Sequence, residues 1–437
     1  MRKIILILTI SFFAASGYAQ TADSLSLDRA IRIALANNYS LLMAENASLI
    51  AKNNYSIGSA GFLPTLDVSG QQSNSVNNSS LEFLSGETID KTGAKSNSFN
   101  AEASLNWRIF DGLENFNSYS RLEKLSEIGE LEMIAIRESI IESVIRAYYD
   151  IIRRSRMADV TTEILSISEK RVAIRRQEYE LGAASRMDML DARADMNTDR
   201  AGLISEETMV ENAKVTLNEI MGRDPGEVFR VAADFDRGER IGWDSVLNLA
   251  MARNPQLRLA RGAYSVAENN LNTEYSELLP RIGLFAKYDY STSTSEAGFI
   301  QSSTNYGISY GFNFSLNLFN GLNTSRRIEN AKIVLETENI ALDMTINRIR
   351  AELLRAYNNY TKNLDLLDFE LENFDVERQR LDLAIDQLEL GRISSLQFRE
   401  AQRSYAAARG RIINARYNAR VSEAELLRIA GAYSQIR

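Results

Sequence analysis

The most abundant side chains of this sequence that could carry out acid–base chemistry are carboxylates. The chain contains 58 Asp and Glu residues but no His and no Cys. Nucleophile pairs of the Ser-His or Cys-His kind, imidazole metal ligands, zinc-thiolate sites and disulfides are therefore impossible. Carboxylate pairs remain possible, and Asp188 and Asp191 would form one because residues three apart share a helix face.

A hydrolase that uses such a pair is one interpretation. It is weak, because acid pairs at spacings of three and four arise by chance when this many acids lie on long helices. No α/β pattern that would form a cleft surrounds any of them. The sequence therefore predicts no catalytic residue, no metal ligand and no cofactor.

Residues 1–19 have the pattern of a secretory signal peptide. A basic start (residues 1–3) precedes an apolar run (residues 4–15) and a small-residue cleavage site (residues 17–19). This run is shorter than the roughly 20 residues that a membrane helix needs, and no other apolar run in the sequence approaches that length. A membrane-integral product would therefore have to span the bilayer as a β-barrel. Loss of Arg2 and Lys3 changes the formal charge from −8 to about −10, which argues against a nucleic-acid partner.

The remaining chain is predicted to be a tandem duplication of a unit of roughly 200 residues. Leu181-Gly182 recurs 209 positions later as Leu390-Gly391, and several other motifs keep the same offset. So many matches at one offset fit poorly with chance. We expect a first repeat over residues 20–222, an inter-repeat segment over 223–243, a second repeat over 244–431 and a tail over 432–437.

Each repeat is predicted to contain a helix, a strand hairpin, a very long helix and a return helix. The first helical stretch runs from Leu27 to about Ser59, and Pro64 cannot continue it. Pro64 and Pro280 begin the hairpins, and Gly112 and Gly321 mark the junctions where the hairpins give way to helices. The predicted ranges are 62–110 and 280–319 for the hairpins, 113–180 and 322–389 for the long helices, and 185–222 and 394–431 for the return helices.

The predicted strands alternate between two faces. From Phe99 to Ile109, and again from Tyr306 to Leu318, apolar side chains fill one face and polar side chains the other. Each run has roughly the 11 residues that a tilted strand needs to cross a bilayer. A soluble antiparallel sheet gives the same alternation, but the lack of Lys and Arg on the apolar face favours lipid. The polar stretches from Gln71 to Ser98 and from Ser291 to Asn305 are predicted to be external loops.

The long helices have coiled-coil periodicity. Ile141, Ile145, Tyr148 and Ile152 step by four, three and four residues. A helix over 113–180 would be about 100 Å long at a rise of 1.5 Å per residue, which no ordinary globular domain contains. Four strands per chain also cannot close a membrane barrel, since the smallest have about eight. The chain must therefore oligomerise, and two or three copies would both supply enough strands.

The order of these features resembles the outer-membrane efflux proteins of the TolC-like family. The shared features are the signal peptide, the tandem halves, the Leu-Pro step into each hairpin, the Phe-Asp/Asn-Gly-Leu step into each long helix and the L-G-x-x-S turn. The resemblance implies an α+β membrane protein, a homotrimer with one twelve-stranded outer-membrane β-barrel on a periplasmic α-helical barrel. It also implies a passive exit duct in a Gram-negative bacterium, fed by a periplasmic adaptor (membrane fusion) protein and an inner-membrane pump or secretion transporter.

The resemblance also assigns roles to the hairpin tips. In this family the tips contact the adaptor, and acidic residues just past them narrow or close the pore. Each tip glycine would also serve as a left-handed helix cap, and each charge could instead lie on a solvated helix face. The implied adaptor-contacting residues are Leu181, Gly182, Ala184, Ser185, Leu390, Gly391, Ile393 and Ser394, and the implied pore-tip residues are Asp188, Asp191, Gln397 and Glu400, with Arg186, Arg392 and Arg399 able to pair with acids of a neighbouring hairpin.

The sequence departs from the family pattern in two places. Gln397 stands where aspartate is usual, so an acidic ring in the second repeat would depend on Glu400 alone, and the lipid-bearing cysteine of some members is absent. A periplasmic coiled-coil adaptor without a pore is the alternative, although the two amphipathic hairpins count against it. A monomeric porin would need many evenly spaced strands and no helices of this length, so the sequence argues against it. The transported substrate and the partner pump stay open.

Overall fold

The computed structural model describes residues 24–231, 234–235, 240–297, 300–390 and 392–435. The predicted signal peptide, Gly391, part of the inter-repeat segment and the end of the tail lie outside the described residues. The first repeat contains β1 (Ser24–Leu25), α1 (Leu27–Asn37), α2 (Tyr39–Asn54), β2 (Thr65–Glu82), β3 (Thr88–Phe110), α3 (Glu114–Glu180) and α4 (Arg186–Ile220), followed by β4 (Arg230–Val231). The second contains α5 (Trp243–Arg253), α6 (Pro255–Ser276), β5 (Arg281–Ser295), β6 (Ser302–Ser315), α7 (Asn323–Glu389), α8 (Ser395–Ile429) and a 3-10 turn (Ala432–Gln435).

The helical stretch expected over residues 27–59 is broken into two helices. Asn38 leaves the helical conformation with a ψ of 122°, and its side-chain amide donates to the carbonyl of Ile220 at 2.8 Å. In the second repeat, Asn254 has a ψ of 121° and donates to the carbonyl of Ile429 at 2.8 Å. Each asparagine therefore ends one helix and satisfies a carbonyl at the end of a return helix, which has no intrahelical partner.

The polar stretches expected to be loops are largely strand, so this expectation was wrong. β2 and β3 pair from Thr65↔Asn106 to Glu82↔Thr88, and only residues 83–87 form the turn. β5 likewise continues to Ser295 and β6 begins at Ser302. Ser, Asn and Thr are poor signals of a strand by themselves, but they extend one when a paired neighbour satisfies their backbone groups.

The four long strands form one antiparallel sheet in the order β2-β3-β5-β6. Hairpins join β2 to β3 and β5 to β6, while β3 and β5 connect the two repeats. β2 and β6 are the edge strands of this sheet. Along β6 the large apolar side chains are 61–82% exposed, namely Tyr306, Ile308, Tyr310, Phe312 and Phe314.

Packing divides the chain into two compact units. The helical unit contains the described residues within 1–38, 140–240 and 358–425, and the sheet unit contains those within 39–139, 241–357 and 426–437. Over the described part of the chain, no helix combines the length and the apolar character needed to cross a membrane.

In the helical unit, contacts join α4 to α3, α3 to α8 and α8 to α7. A Cβ placed on Gly202 of α4 would lie 3.7 Å from the methyl of Thr161 on α3. Arg411 of α8 pairs with Glu370 of α7 at 3.0 Å. The buried cluster between α3, α7 and α8 consists of Val160, Ile164, Leu381, Tyr405 and Ile413.

Candidate hairpin tips and buried charge cluster

The first hairpin tip begins where α3 ends at Glu180. Gly182 has a φ of +72°, a left-handed conformation that glycine adopts without a Cβ penalty. The amide of Ala183 donates to the carbonyl of Glu178 at 2.8 Å, and the amide of Gly182 donates to that of Tyr179 at 3.0 Å, which together form a Schellman cap. The predicted left-handed cap is therefore present at Gly182, and a Cβ built there would have no neighbour within 4 Å.

The return helix α4 starts with a capping box. The Ser185 hydroxyl oxygen accepts from the amide of Asp188 at 3.1 Å. The Asp188 carboxylate accepts from the Ser185 amide at 3.1 Å and from its hydroxyl at 2.7 Å. These bonds to Ser185 hold the pKa of Asp188 below its ordinary value, because they favour the ionised carboxylate. Asp188 is thus a helix-capping residue in the first tip.

The second tip repeats this geometry with a neutral side chain. The amide of Arg392 donates to the carbonyl of Gln387 at 2.8 Å, as Ala183 does to Glu178 in the first tip. The Ser394 hydroxyl oxygen accepts from the amide of Gln397 at 3.3 Å, and Gln397 Oε1 accepts from the Ser394 amide and hydroxyl at 3.0 Å each. Gln397 therefore takes the capping position of Asp188, and Gly391 lies outside the described residues.

Both tips present large apolar side chains to solvent. Leu181 is 76% exposed and its counterpart Leu390 is 63% exposed. Two further residues that the sequence reasoning missed occupy equivalent positions just after the caps: Met187 is 66% exposed and Leu396 is 80% exposed. Their common signal was an apolar residue two positions after the capping serine in both repeats. Ala184 and Ile393 are half-buried, and Ser185 and Ser394 are exposed.

The predicted pore-tip charges fall into two groups. Asp191 and Glu400 have exposed side chains, as do Arg186 and Arg392, and within the described part of the chain none of these four forms an ion pair. Arg399 differs, because it is only 8% exposed. Its guanidinium forms a two-pronged pair with Asp199 of α4, with Nη1 to Oδ2 at 2.7 Å and Nη2 to Oδ1 at 2.8 Å.

Arg399 belongs to a buried polar cluster in which α3, α4 and α8 meet. Asp199 also accepts from the hydroxyl of Ser168, and Asp195 pairs with Arg171, which is 2% exposed. The hydrogen bonds that the Arg399 guanidinium donates to Asp199 raise the pKa of Arg399, which stays cationic. The cluster as a whole consists of Ser168, Arg171, Asp195, Asp199, Arg399 and Gln402.

Sequence reasoning missed every member of this cluster except Arg399. One signal was available, because Arg171 stands seven residues after Ile164 and so occupies a core position of the heptad pattern. A charge at such a position needs a buried partner. The spacing of Asp195 and Asp199, one helical turn apart, supplies that partner and its neighbour.

The predicted junction residues lie between strand and helix. Pro64 and Pro280 directly precede β2 and β5. Gly112 and Gly321 have φ angles of +72° and +70°. A Cβ on Gly112 would lie 2.2 Å from the carbonyl oxygen of Ser276, whereas one on Gly321 would meet nothing closer than 3.8 Å. The two junction glycines thus share a backbone conformation and differ in packing.

Comparison with known proteins identifies the family. The chain matches the family described as "Outer membrane efflux protein" over residues 30–223 and 246–432. It is similar to the outer membrane efflux protein BepC of Brucella suis, with 21% identity over 327 residues that cover 75% of this chain and 71% of that protein. It is also similar to the outer membrane protein TolC of Vibrio cholerae, with 20% identity over 73% of each chain.

The fold is that of solved outer-membrane channels. The structure superposes on the CmeC outer membrane channel of Campylobacter jejuni with a TM-score of 0.77 and 16% identity, over 98% of this chain and 94% of that one. Its relatives are channels rather than enzymes, which favours a channel over both the hydrolase and the adaptor without a pore. The chain belongs to the outer membrane efflux protein family, as an outer-membrane channel with a large periplasmic portion.

Proposed function

We propose that three copies of this chain form one exit duct, with a barrel of twelve strands in the outer membrane. Substrates would pass through it passively, from a periplasmic adaptor and an inner-membrane pump or secretion transporter to the outside. The observation that carries this proposal is the four-stranded sheet with two long edge strands.

The edges of the sheet support closure between copies. β2 and β6 are 18 and 14 residues long, so a sheet of this kind would leave two rows of backbone groups unpaired. Such groups are too costly to leave in lipid, where no water can satisfy them. The four strands alternate in direction, so β6 of one copy runs antiparallel to β2 of the next. Any number of copies can therefore close into one antiparallel barrel.

The faces of the sheet support a lipid-facing exterior and a wet lumen. The exposed row of β6 is aromatic and aliphatic, as described above. The other face carries Glu102 on β3 and Lys287 and Asp289 on β5, and Lys287 lies 3.7 Å from Glu102 and 3.4 Å from Asp289. Charges are costly on a lipid face and tolerated in a lumen. The apolar face would thus contact lipid and the charged face would line the pore.

The tips are the proposed adaptor contacts. Leu181 lies beside the turn at Gly182 and Leu390 is its counterpart in the second tip, while Met187 and Leu396 extend the apolar surface of each tip. Exposed apolar groups clustered on a capped turn are typical of a binding surface. Asp191 and Glu400 do not take part in helix capping, so we assign them the role of attracting cations to the pore. Asp188 and Gln397 would affect the pore by holding the two capped turns in place.

The number of copies is tested by the symmetry of the isolated particle. Electron microscopy of the mature protein, extracted from outer membranes in mild detergent, should give three-fold particles. A two-fold or monomeric particle would overturn the assembly.

The role of the first tip is tested by export from cells. Gly182→Val should lose export because valine disfavours φ > 0, while Gly182→Asn, which tolerates this conformation, should keep most of it. Both variants should insert normally, and equal export by the two would overturn the role of the tip.

A further inference from the structure

One aromatic side chain lies on the charged face of the sheet. Phe285 of β5 stands two residues before Lys287, and alternate residues of a strand share a face. Over the part of the sheet where all four strands pair, every other position on this face is Ser, Thr, Asn, Gln, Gly or a charged residue. Phe285 is thus the one large apolar residue on the described part of the face proposed to line the pore.

The strand register places Phe285 between two polar strands. It pairs with Asn106 of β3 on one side and with Gly311 of β6 on the other. A Cβ built on Gly311 would lie 3.0 Å from Cε1 and Cζ of Phe285, so the ring lies against the β6 backbone at this glycine. The ring is half-buried, and the rest of it is open on the charged face.

Two cations flank Phe285 on the same face. Lys287 Nζ lies 3.7 Å from Glu102 Oε2 and 3.4 Å from Asp289 Oδ1, so two acids balance its charge. On the other side, Arg108 of β3 pairs with Gly283, which places it diagonally from Phe285 at a spacing that long side chains bridge. Arg108 is exposed, and within the described part of the chain it forms no hydrogen bond or ion pair. Its charge is therefore available to an anion beside the aromatic ring.

The first repeat lacks this aromatic residue. Counted from the proline that begins each hairpin, Ser69 of β2 occupies the position of Phe285. Ser69 pairs across its hairpin with Glu102, as Phe285 pairs with Gly311. The same hairpin position thus accepts a serine, so the fold does not by itself require an aromatic ring there.

We propose that Phe285 and Arg108 form a binding site for aromatic carboxylates in the lumen of the barrel. The ring of the ligand stacks on Phe285, and its carboxylate pairs with the Arg108 guanidinium. Asp289 lies four residues beyond Phe285, about 13 Å along the strand, and repels a carboxylate from that end. The ligand therefore binds with its charge toward Arg108. The inference rests on the proposed channel, because only a closed barrel turns this face into a lumen.

The chemical class is tested with three probes. Binding is measured by saturation-transfer NMR on the mature protein in lipid nanodiscs, with empty nanodiscs as the background. The probes are 2-naphthoate, the 2-naphthylmethylammonium cation with the same ring, and hexanoate, which has a carboxylate but no ring. We expect 2-naphthoate to bind and the other two to bind at least about threefold more weakly. Equal binding of all three would overturn the proposed specificity.

Substitutions test the two side chains. Phe285→Leu should weaken 2-naphthoate binding about three- to tenfold, because leucine cannot stack. Arg108→Gln should weaken it about twofold to fivefold, and Arg108→Lys, which keeps the charge, should weaken it less. Phe312→Leu makes the same change as Phe285→Leu on the opposite face, where Phe312 is exposed and pairs with Leu284. This control should leave binding unchanged, and equal losses for the two phenylalanine variants would overturn the site.

A purely structural role for Phe285 predicts a different result. An aromatic ring can stabilise a sheet by covering a glycine of the neighbouring strand. In that case Phe285→Leu would lower the temperature at which the three-fold particle dissociates and leave 2-naphthoate binding unchanged, which would overturn the binding site. If the variant loses both stability and binding, Arg108→Gln decides, because Arg108 has no partner in the described structure: weaker binding supports the site and unchanged binding rejects it.

The result also separates this inference from the proposed channel. Three-fold wild-type particles that bind 2-naphthoate no better than empty nanodiscs would reject the site and keep the channel. Particles that never show three-fold symmetry would reject the channel and, with it, the lumen on which the site depends.

Discussion

In both repeats a serine caps the return helix and bonds the side chain three positions later, which is Asp188 in the first repeat and Gln397 in the second. The backbone geometry is the same, but only the first cap carries an ionisable group. Two residues further along, the difference is larger. Arg399 in the second repeat is buried with Asp199, whereas the first repeat has Leu190 at the equivalent position, 45% exposed. Duplication has preserved the caps and allowed the charges to diverge.

This asymmetry places a buried, two-pronged ion pair between α8 and α4 that has no equivalent in the described residues of the first repeat. Arg399 links α8 to α4, and so fastens the second hairpin to the first. At the equivalent place in the other repeat, a leucine can make only apolar contacts. The two tips therefore share one capped turn but differ in the contact beyond it, which is an ion pair in the second repeat and a leucine in the first. Each contact can be altered by its own substitution.

The largest expected effect on stability comes from replacing Arg399 of the second repeat with leucine, the residue at the equivalent position of the first repeat. Arg399→Leu would leave the Asp199 carboxylate, whose side chain is 10% exposed, without its cation. Loss of one member of a buried ion pair costs about 3–5 kcal/mol. We expect that loss in the free energy of unfolding, measured by denaturant titration in detergent.

Two variants control for this change. Arg392→Leu removes an exposed arginine that has no ion pair in the described structure, so it should change stability by less than about 0.5 kcal/mol. Arg399→Leu combined with Asp199→Leu removes both charges and should recover most of the loss. Equal stability of the Arg399→Leu and Arg392→Leu proteins would contradict the role assigned to the cluster.

The junction glycines give the next largest contrast. Gly112→Ala and Gly321→Ala share the cost of a left-handed alanine, about 1–2 kcal/mol. Only at Gly112 does the new methyl also meet the Ser276 carbonyl, which would lie 2.2 Å away. Gly112→Ala should therefore be destabilised by about 1–3 kcal/mol more than Gly321→Ala. Thermal unfolding of the two variants measures this difference, and similar midpoints would contradict it.

Periodicity and repetition were enough to predict much of the fold. The helical and alternating patterns led to the long helices and the strand hairpins, and the family resemblance to a TolC-like channel was confirmed by comparison. The lengths of β2 and β3 were underestimated, because Ser and Asn are as common in loops as in a paired strand. The break at Asn38 was missed because it depends on the distant carbonyl of Ile220.

The candidate site was less accessible to sequence reasoning, for a physical reason. Local spacing predicted the cap at Gly182, since a Schellman turn is made by neighbours in the chain. The partner of Arg399 is 200 residues away and depends on how α8 lies against α4. The capping roles of Asp188 and Gln397 follow from a local rule, Ser followed three residues later by an acceptor side chain.

The smallest expected effect is a difference in the pH dependence of the two tips. The pKa of Asp188 is lowered in the folded protein by its bonds to Ser185. A lowered folded pKa contributes stability that is present above the unfolded pKa, about 3.9, and is lost as the pH falls through the folded value. The first tip should therefore loosen below about pH 4, while the second, capped by the neutral Gln397, should not.

Hydrogen exchange of the amides at the two tips, followed by mass spectrometry from pH 5 downward, measures this difference. After correction for intrinsic exchange rates, protection of the amides after Ser185 should fall with pH, and protection of those after Ser394 should stay constant. Substituting each capping side chain with that of the other repeat sharpens the test. Asp188→Gln should remove the pH dependence from the first tip, and Gln397→Asp should confer it on the second. If both wild-type tips lose protection together, the cap is not the titrating element, and the exposed acids Asp191 and Glu400 become the groups to examine, because each lies one turn beyond a cap.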